Sequence, residues 1–374
     1  MRCTGSPTPS WELCRHLDGL PLAVELAAAR VRVMSVPEIT QRLGDRFTLL
    51  RGGARDAPER HHTLHAGIDW SWNPLEPAGQ QAMRALSVFP GRFTAAATRH
   101  LLGGSADDVL PVLEHLVDQS LLKVIDSGSG ARFRILETVR EFSAAHRDAA
   151  GETDRVAGEF LAWARDFGLA HHESLFGTDP FTPLERIRAE QDNLAHALRR
   201  GLDEADGATV ATTSAVLAGL WTVESRHARM AMLAEEAAHV LSHFRPGPAL
   251  VEAIRSAATL ITANIFVVQG PRAARSLVVL RRLPPAPPTT LLRGVAIALC
   301  AVPEAVASEH PAMLHGVHDS DAPLLAAIAD GIASYLYEQK NDLDNAVRAA
   351  GADARGVREP CGPVGGGHGA LPAQ

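Results

Sequence analysis

Lysine is almost missing from this chain: of its 36 basic residues only Lys123 and Lys340 are lysine, the rest being arginine. Any chemistry that needs a lysine, such as the phosphate-reaching lysine of a GxxxxGK[ST] loop, has just these two candidates. Lys123 follows Leu121-Leu122 and Lys340 follows Glu338-Gln339, so neither stands in a glycine-rich phosphate loop. No apolar strand ends in the paired acids that organise Mg²⁺ either; the run from Leu121 to Asp126 comes nearest and lacks the second acid. A complete ATPase site is excluded. Cysteine is scarce as well. Cys3, Cys14, Cys300 and Cys361 lie far apart with no CxxC, which argues against a disulfide framework or a cysteine metal site and for a reducing, cytoplasmic setting. No apolar run reaches the roughly 18 residues of a spanning helix, and the first ten residues lack the apolar stretch of a signal peptide. With a net charge of −7 and a pI of about 6.2, the chain is not a general binder of nucleic acid or anionic membrane. No GxSxG or other nucleophile–base signature occurs, so no catalysis, resident cofactor or metal is expected of it.

What is present is apolar mass and helical rhythm. At 374 residues, 46% apolar and 21% charged, the chain suits two or three packed domains. Residues 1–50 predict helices around Asp18-Gly19-Leu20-Pro21, with Leu13, Leu17, Leu22, Leu26 and Ala27 on an apolar face. A further helix starts at Ser35, where Glu38 three residues on completes a capping box. Residues 51–63 are polar and Gly-rich and read as a linker. From 64 to 150 the pattern predicts helices over 76–88, 94–102 and 106–118. Strands follow over 121–125 and 132–136, joined by a Gly/Ser turn, and a helix over 137–149 closes the unit. Three helices, a hairpin and a helix make a winged-helix pattern. From 151 to 350 successive helices (153–171, 183–204, 208–222, 226–243, 248–268, 271–282) suggest an α-solenoid of tetratricopeptide-like pairs, without a clean 34-residue repeat. The Gly- and Pro-rich residues 351–374 read as a disordered tail. The fold class is mainly α.

Seven blocks in order carry a family resemblance. They are Cys14–Arg30 with its Gly-Leu-Pro-Leu-Ala core, Ile39–Phe47, Thr63–Trp72, Leu86–Phe89 with Gly91 and Phe93, Leu116–Leu122, Arg134–Phe142, and Glu190–Leu198. Together they resemble the STAND (NB-ARC-type) signalling ATPases, specifically the actinobacterial SARP-type antibiotic-regulatory and LuxR-like transcriptional regulators. The resemblance implies a partial ARC helical segment, a winged helix and a helical-repeat arm, the chain starting within the ARC segment. It implies ATP or ADP with Mg²⁺ in intact members and none held by this chain, where Gly19, Leu20 and Pro21 mark the adenine side. It also implies signal transduction by docking, through a protein partner or self-association of the repeats. The histidine that senses the β-phosphate in such proteins falls here on Leu136, with the neighbouring acid at Glu137. Leucine cannot donate a hydrogen bond to phosphate, so Glu137 is read instead as charging the first turn of the next helix.

The remaining polar features have plainer readings. The candidate recognition helix, 106–118, carries Asp107, Asp108, Glu114 and Asp118 and no Lys or Arg, which opposes a polyanion and favours protein docking. The alternative is a DNA-binding winged-helix transcription factor with a helical dimerisation or sensor arm. His61, His62 and His65 read as a solvated loop, His171-His172 as dipole partners at a helix end, and Trp70 and Trp72 as core packing.

Overall fold

In a computed structural model the described residues are 13, 24, 27, 28, 31, 34–41, 64–104, 106–127, 130–270, 275–307 and 323–356. The protein is mainly α-helical with one two-stranded antiparallel sheet. It divides into two compact units. One comprises the residues up to Phe167 and Glu185–Arg200; the other comprises Gly168–Leu184 and the residues from Gly201 on.

In the first unit α1 (Val36–Gln41) begins at the expected capping box: Ser35 N donates to Glu38 Oε2 at 2.8 Å and Glu38 N to Ser35 Oγ at 3.5 Å. Then come α2 (Leu64–Trp72), α3 (Pro77–Leu86), α4 (Ala95–Leu102) and α5 (Ala106–Asp118). Thr94 caps α4 by accepting from Ala97 N at 3.1 Å, and Gly103, at φ 69°, ends it in the left-handed region that glycine tolerates best. The strands β1 (Leu122–Ser127) and β2 (Gly130–Ile135) pair from Leu122↔Ile135 to Ser127↔Gly130, and α6 (Glu137–Ala149) follows. The hairpin reaches further toward its turn than apolar patterning indicated, because backbone pairing continues through the polar Asp126 and Ser127. Phe93 adds an isolated antiparallel bridge to β2 by exchanging backbone bonds of 2.9 and 2.8 Å with Phe133. The aromatic residues, only 5% of the chain, concentrate in this core. Phe89 stacks on Phe93 and meets Phe160 and Trp163 edge-on, while Trp72 meets Phe142 edge-on.

Helices α7 (Thr153–His171) and α8 (Phe181–Asp203) each give residues to both units. The first unit therefore takes in residues that the sequence pattern places in the helical region after 150. The second continues with α9 (Gly207–Val223), α10 (His227–His243), α11 (Val251–Gln269), α12 (Arg275–Arg282), α13 (Leu291–Ala307), α14 (Pro323–Gln339) and α15 (Leu343–Gly356). Each of these helices packs mainly on the next and the next but one: α9 on α10 and α11, α10 on α11 and α12, α11 on α12 and α13, then α12 on α13, α13 on α14 and α14 on α15. Helix α9 is buried on almost every side, as a helix that is apolar all round must be.

Two sequence expectations change here. Residues 351–356 belong to α15 rather than to the tail, and the rest of the tail lies outside the described residues. The segment Pro248–Gln269 is long and apolar enough, by length and composition, to cross a membrane. Sequence inspection missed it because Glu252, Arg255 and Asn264 interrupt the run. About two-thirds of that helix is buried within the protein, 67% of the apolar window.

Candidate interaction site

The residues expected on the adenine side, Gly19, Leu20 and Pro21, lie outside the described residues, as do His61, His62 and the 51–63 linker. The two lysines are described, and neither sits in a phosphate cradle. Lys123 is exposed on β1 opposite Arg134, and Lys340 follows the end of α14. The described residues thus offer no fit for a nucleotide's phosphates of the P-loop kind. Among them, no three His, Cys, Asp or Glu side chains come together as a metal site.

What the fold brings together is two of the seven blocks, that of Gly91 and that of Glu190–Leu198, around one buried ion pair in the first unit. Arg132 of β2 is 5% exposed and Glu190 of α8 is 3% exposed. Arg132 Nη2 donates to Glu190 Oε1 at 2.7 Å, to the Arg92 carbonyl at 2.9 Å and to the Ala189 carbonyl at 3.1 Å. Asn193, one turn along α8, donates to Glu190 Oε2 at 2.7 Å and to the Arg92 carbonyl at 2.8 Å, and accepts from Gly91 N at 3.0 Å. A Cβ at residue 91 would stand 3.0 Å from Asn193 Oδ1, which explains a glycine there. Burial pushes the Glu190 carboxyl above its ordinary value, while Arg132 and Asn193 pull it back. The Gly91–Phe93 loop, β2 and α8 are thus locked by charge-assisted bonds. Sequence reasoning found Gly91, Arg134, Glu190 and Asn193 as block residues but missed Arg132. Its strand alternation with Phe133 marks it as a surface residue, and only tertiary contact shows that it turns inward.

Other expectations separate in the same unit. Trp72 is buried at 4% exposure, whereas Trp70 is 70% exposed, so only one of the pair is core. The helical period decides this: two residues along a helix is about 200° of rotation, which points them to opposite sides. Leu136 is a buried N-cap without a side-chain bond, and Glu137 stands in the first turn of α6, where it pairs with Arg140. On α5 the acids Asp108, Glu114 and Asp118 are exposed. At the base of the unit Arg84 grips Glu152 through two bonds of 2.9 and 3.0 Å, which holds the Glu152 carboxyl below its ordinary value. In the second unit burial lowers the His172 pKa, and its Nδ1 lies 3.0 Å from Ser256 Oγ.

No family model matches the chain. Proteins of Mycobacterium tuberculosis and Mycobacterium bovis, each named "Putative HTH-type transcriptional regulator", are 47% identical to it over 192 residues, which is 50% of this chain and 21% of each relative. A Mycobacterium tuberculosis protein named as uncharacterized is 34% identical over 154 residues, 40% of this chain and 39% of that protein. The chain spans about a fifth of the length of the first relatives.

Proposed function

We propose that this chain is a regulatory, signal-transducing part of a cytoplasmic transcriptional regulator of the STAND (NB-ARC-type) kind, akin to SARP-type and LuxR-like regulators. It works by docking protein partners through its winged-helix unit and its tetratricopeptide-like helices and has no catalysis of its own. The observation that carries this reading is the 47% identity, over half the chain, to proteins named as HTH-type transcriptional regulators. The acidic exposed face of α5 supports docking over DNA contact, because phosphate neutralisation normally dominates DNA affinity and α5 has no Lys or Arg. The stacked helices supply a long surface of neighbouring pairs, which is the way helical-repeat arms hold partners. Nucleotide binding, with Gly19, Leu20 and Pro21 on the adenine side, belongs to the intact regulator in this reading.

A gel-shift titration of the full chain on promoter fragments across a salt series tests it. No retardation at any salt is the expected result. Retardation that weakens steeply as salt rises would overturn docking in favour of the DNA-binding winged helix, since that slope is the signature of phosphate contacts.

A further inference from the structure

Within the second unit a cavity of about 660 Å³ opens where the end of α10, the loop from Phe244 to Pro246, α11 and the end of α12 meet. Leu241, Ile254 and Val279, all buried, line it together with Phe244 and Val251. Its charged lining is Arg245 and Arg282, both exposed, and no carboxylate is among the lining residues. Arg245 makes no hydrogen bond or ion pair among the described residues. Arg282 makes one bond, from Nη1 to the Ser242 carbonyl at 2.9 Å, and has no acid partner there. Glu252, the neighbour of Val251, is already held by Arg293 at 2.9 Å and by Arg255 at 3.4 Å. Two guanidinium charges thus stand over an apolar lining with nothing of opposite sign to balance them.

The last carbonyls of α10 would disfavour an anion at this end of the helix. Two of them are covered, however: Ser242 by Arg282, and Val240 by the Phe244 N–H at 3.1 Å. The walls are also held in place before any ligand arrives. A Cβ at Gly207 would stand 2.2 Å from Phe244 Cγ, so the Phe244 ring lies against the start of α9 and pins its loop. On the other side Arg255, 7% exposed, donates to the Pro284 carbonyl at 2.6 Å and ties the chain after α12 to α11. Pro246 and Pro248 in one loop, and Pro284, Pro285, Pro287 and Pro288 in the other, fix φ. Little backbone freedom is left for binding to remove.

We propose that this cavity binds a small amphipathic carboxylic acid, an aliphatic or aromatic body carrying one carboxylate. The body lies against the apolar lining and the carboxylate meets Arg245 and the free donors of Arg282, whose planar forks match it. The volume falls within the usual range for small-ligand sites. An extended peptide fits less well, because Pro246 and Pro284 have no backbone N–H to pair with it. Occupied, the site joins α10, α11 and α12. Those helices belong to the unit that the docking reading assigns to partners, but the binding itself stands apart from that reading.

The test is calorimetric titration of the full chain with sodium octanoate and, separately, with 1-octanol and octylammonium chloride. Saturable octanoate binding at one site per chain is expected, with a rise in melting temperature from preferential binding to the folded state. Octanol should bind about tenfold more weakly, the scale of one charge-assisted contact, and octylammonium not measurably. Arg245→Gln and Arg282→Gln should each weaken octanoate by about the same factor and leave octanol unchanged. Val251→Phe, which fills the cavity, should abolish both. Arg199→Gln, which removes the same charge from the other unit, should change nothing. Unaltered melting of the ligand-free Arg245→Gln and Arg282→Gln variants assigns their loss to binding rather than to folding. The proposal is overturned by absence of octanoate binding at millimolar concentration, by octanol binding as tightly as octanoate, or by binding indifferent to both arginine substitutions. It is also overturned, in favour of a protein tail, by a short peptide ending in leucine that binds more tightly than octanoate and loses affinity with Arg245→Gln.

Discussion

Glu190 shows how much one residue can hold. Its carboxylate receives Arg132 and Asn193, and those two in turn hold the Arg92 carbonyl. Glu190→Gln keeps the shape and an amide oxygen but strands the Arg132 charge in a buried site. Removing one partner of a buried pair costs about 3–5 kcal/mol, so urea titration should show a loss of that order; a change near zero would mean that Arg132 escapes to solvent. Glu152 makes a different kind of contribution. Its carboxyl is held below its ordinary value, first by its hydrogen bond with Arg84. A depressed folded pKa gives stability that is present above the unfolded value and lost as pH falls through the folded one. Between neutral pH and the acid limb, stability should therefore fall less steeply in Glu152→Gln than in the parent, as denaturant midpoints across a pH series would show. Glu190, pushed upward by burial, acts in the opposite sense, its stabilisation being lost as pH rises, and it is unchanged in that comparison. Equal acid slopes in parent and variant would assign Glu152 no part.

Among the elements, the close approach of α7 and α9 within the second unit sets a sharp constraint. A Cβ added to Gly168 would lie 2.6 Å from Thr212 Cβ and 2.7 Å from the Thr212 backbone. Alanine is the better helix former by roughly 1 kcal/mol, so propensity alone predicts that Gly168→Ala stabilises. Backbone cannot move aside as a flexible side chain can, and overpacking costs about 1–3 kcal/mol. The variant should therefore melt below the parent, and a higher melting temperature would show that α7 and α9 separate freely. The same contrast explains why helix boundaries were legible while helix burial was not. Capping at Ser35 and Thr94 and the 3.6-residue period are local, and helices 106–118, 137–149 and 153–171 stand where the pattern placed them. Whether Trp70 or Trp72 faces inward depends on what lies beside α2.

For the whole molecule, the second unit is the clearer case of cooperation by neighbours. Each helix from α9 onward packs on the next one or two, so each needs its neighbours to bury its apolar face. Deleting residues 208–243 removes most of α9 and all of α10, including the most thoroughly buried helix of that unit. Hydrogen exchange should then show protection lost from α11 to α15 and retained in α2 to α6. Uniform loss, reaching residues 64–150, would mean that the two units fold as one.

The helical class, the order of helix, hairpin and helix, and the absence of a lysine-based phosphate loop are written in the residues themselves. Each of these follows from residue type and spacing, which act over a few residues through backbone hydrogen bonds and side-chain period. Tertiary structure alone decided that Arg132 turns inward to a carboxylate 58 positions away. It also decided that Glu185–Arg200 joins the unit built by residues 64–167 and that Arg245 and Arg282 line one cavity. Those outcomes depend on charges and apolar faces meeting across long stretches of chain. No local pattern encodes which of several exposed-looking arginines will find its partner there.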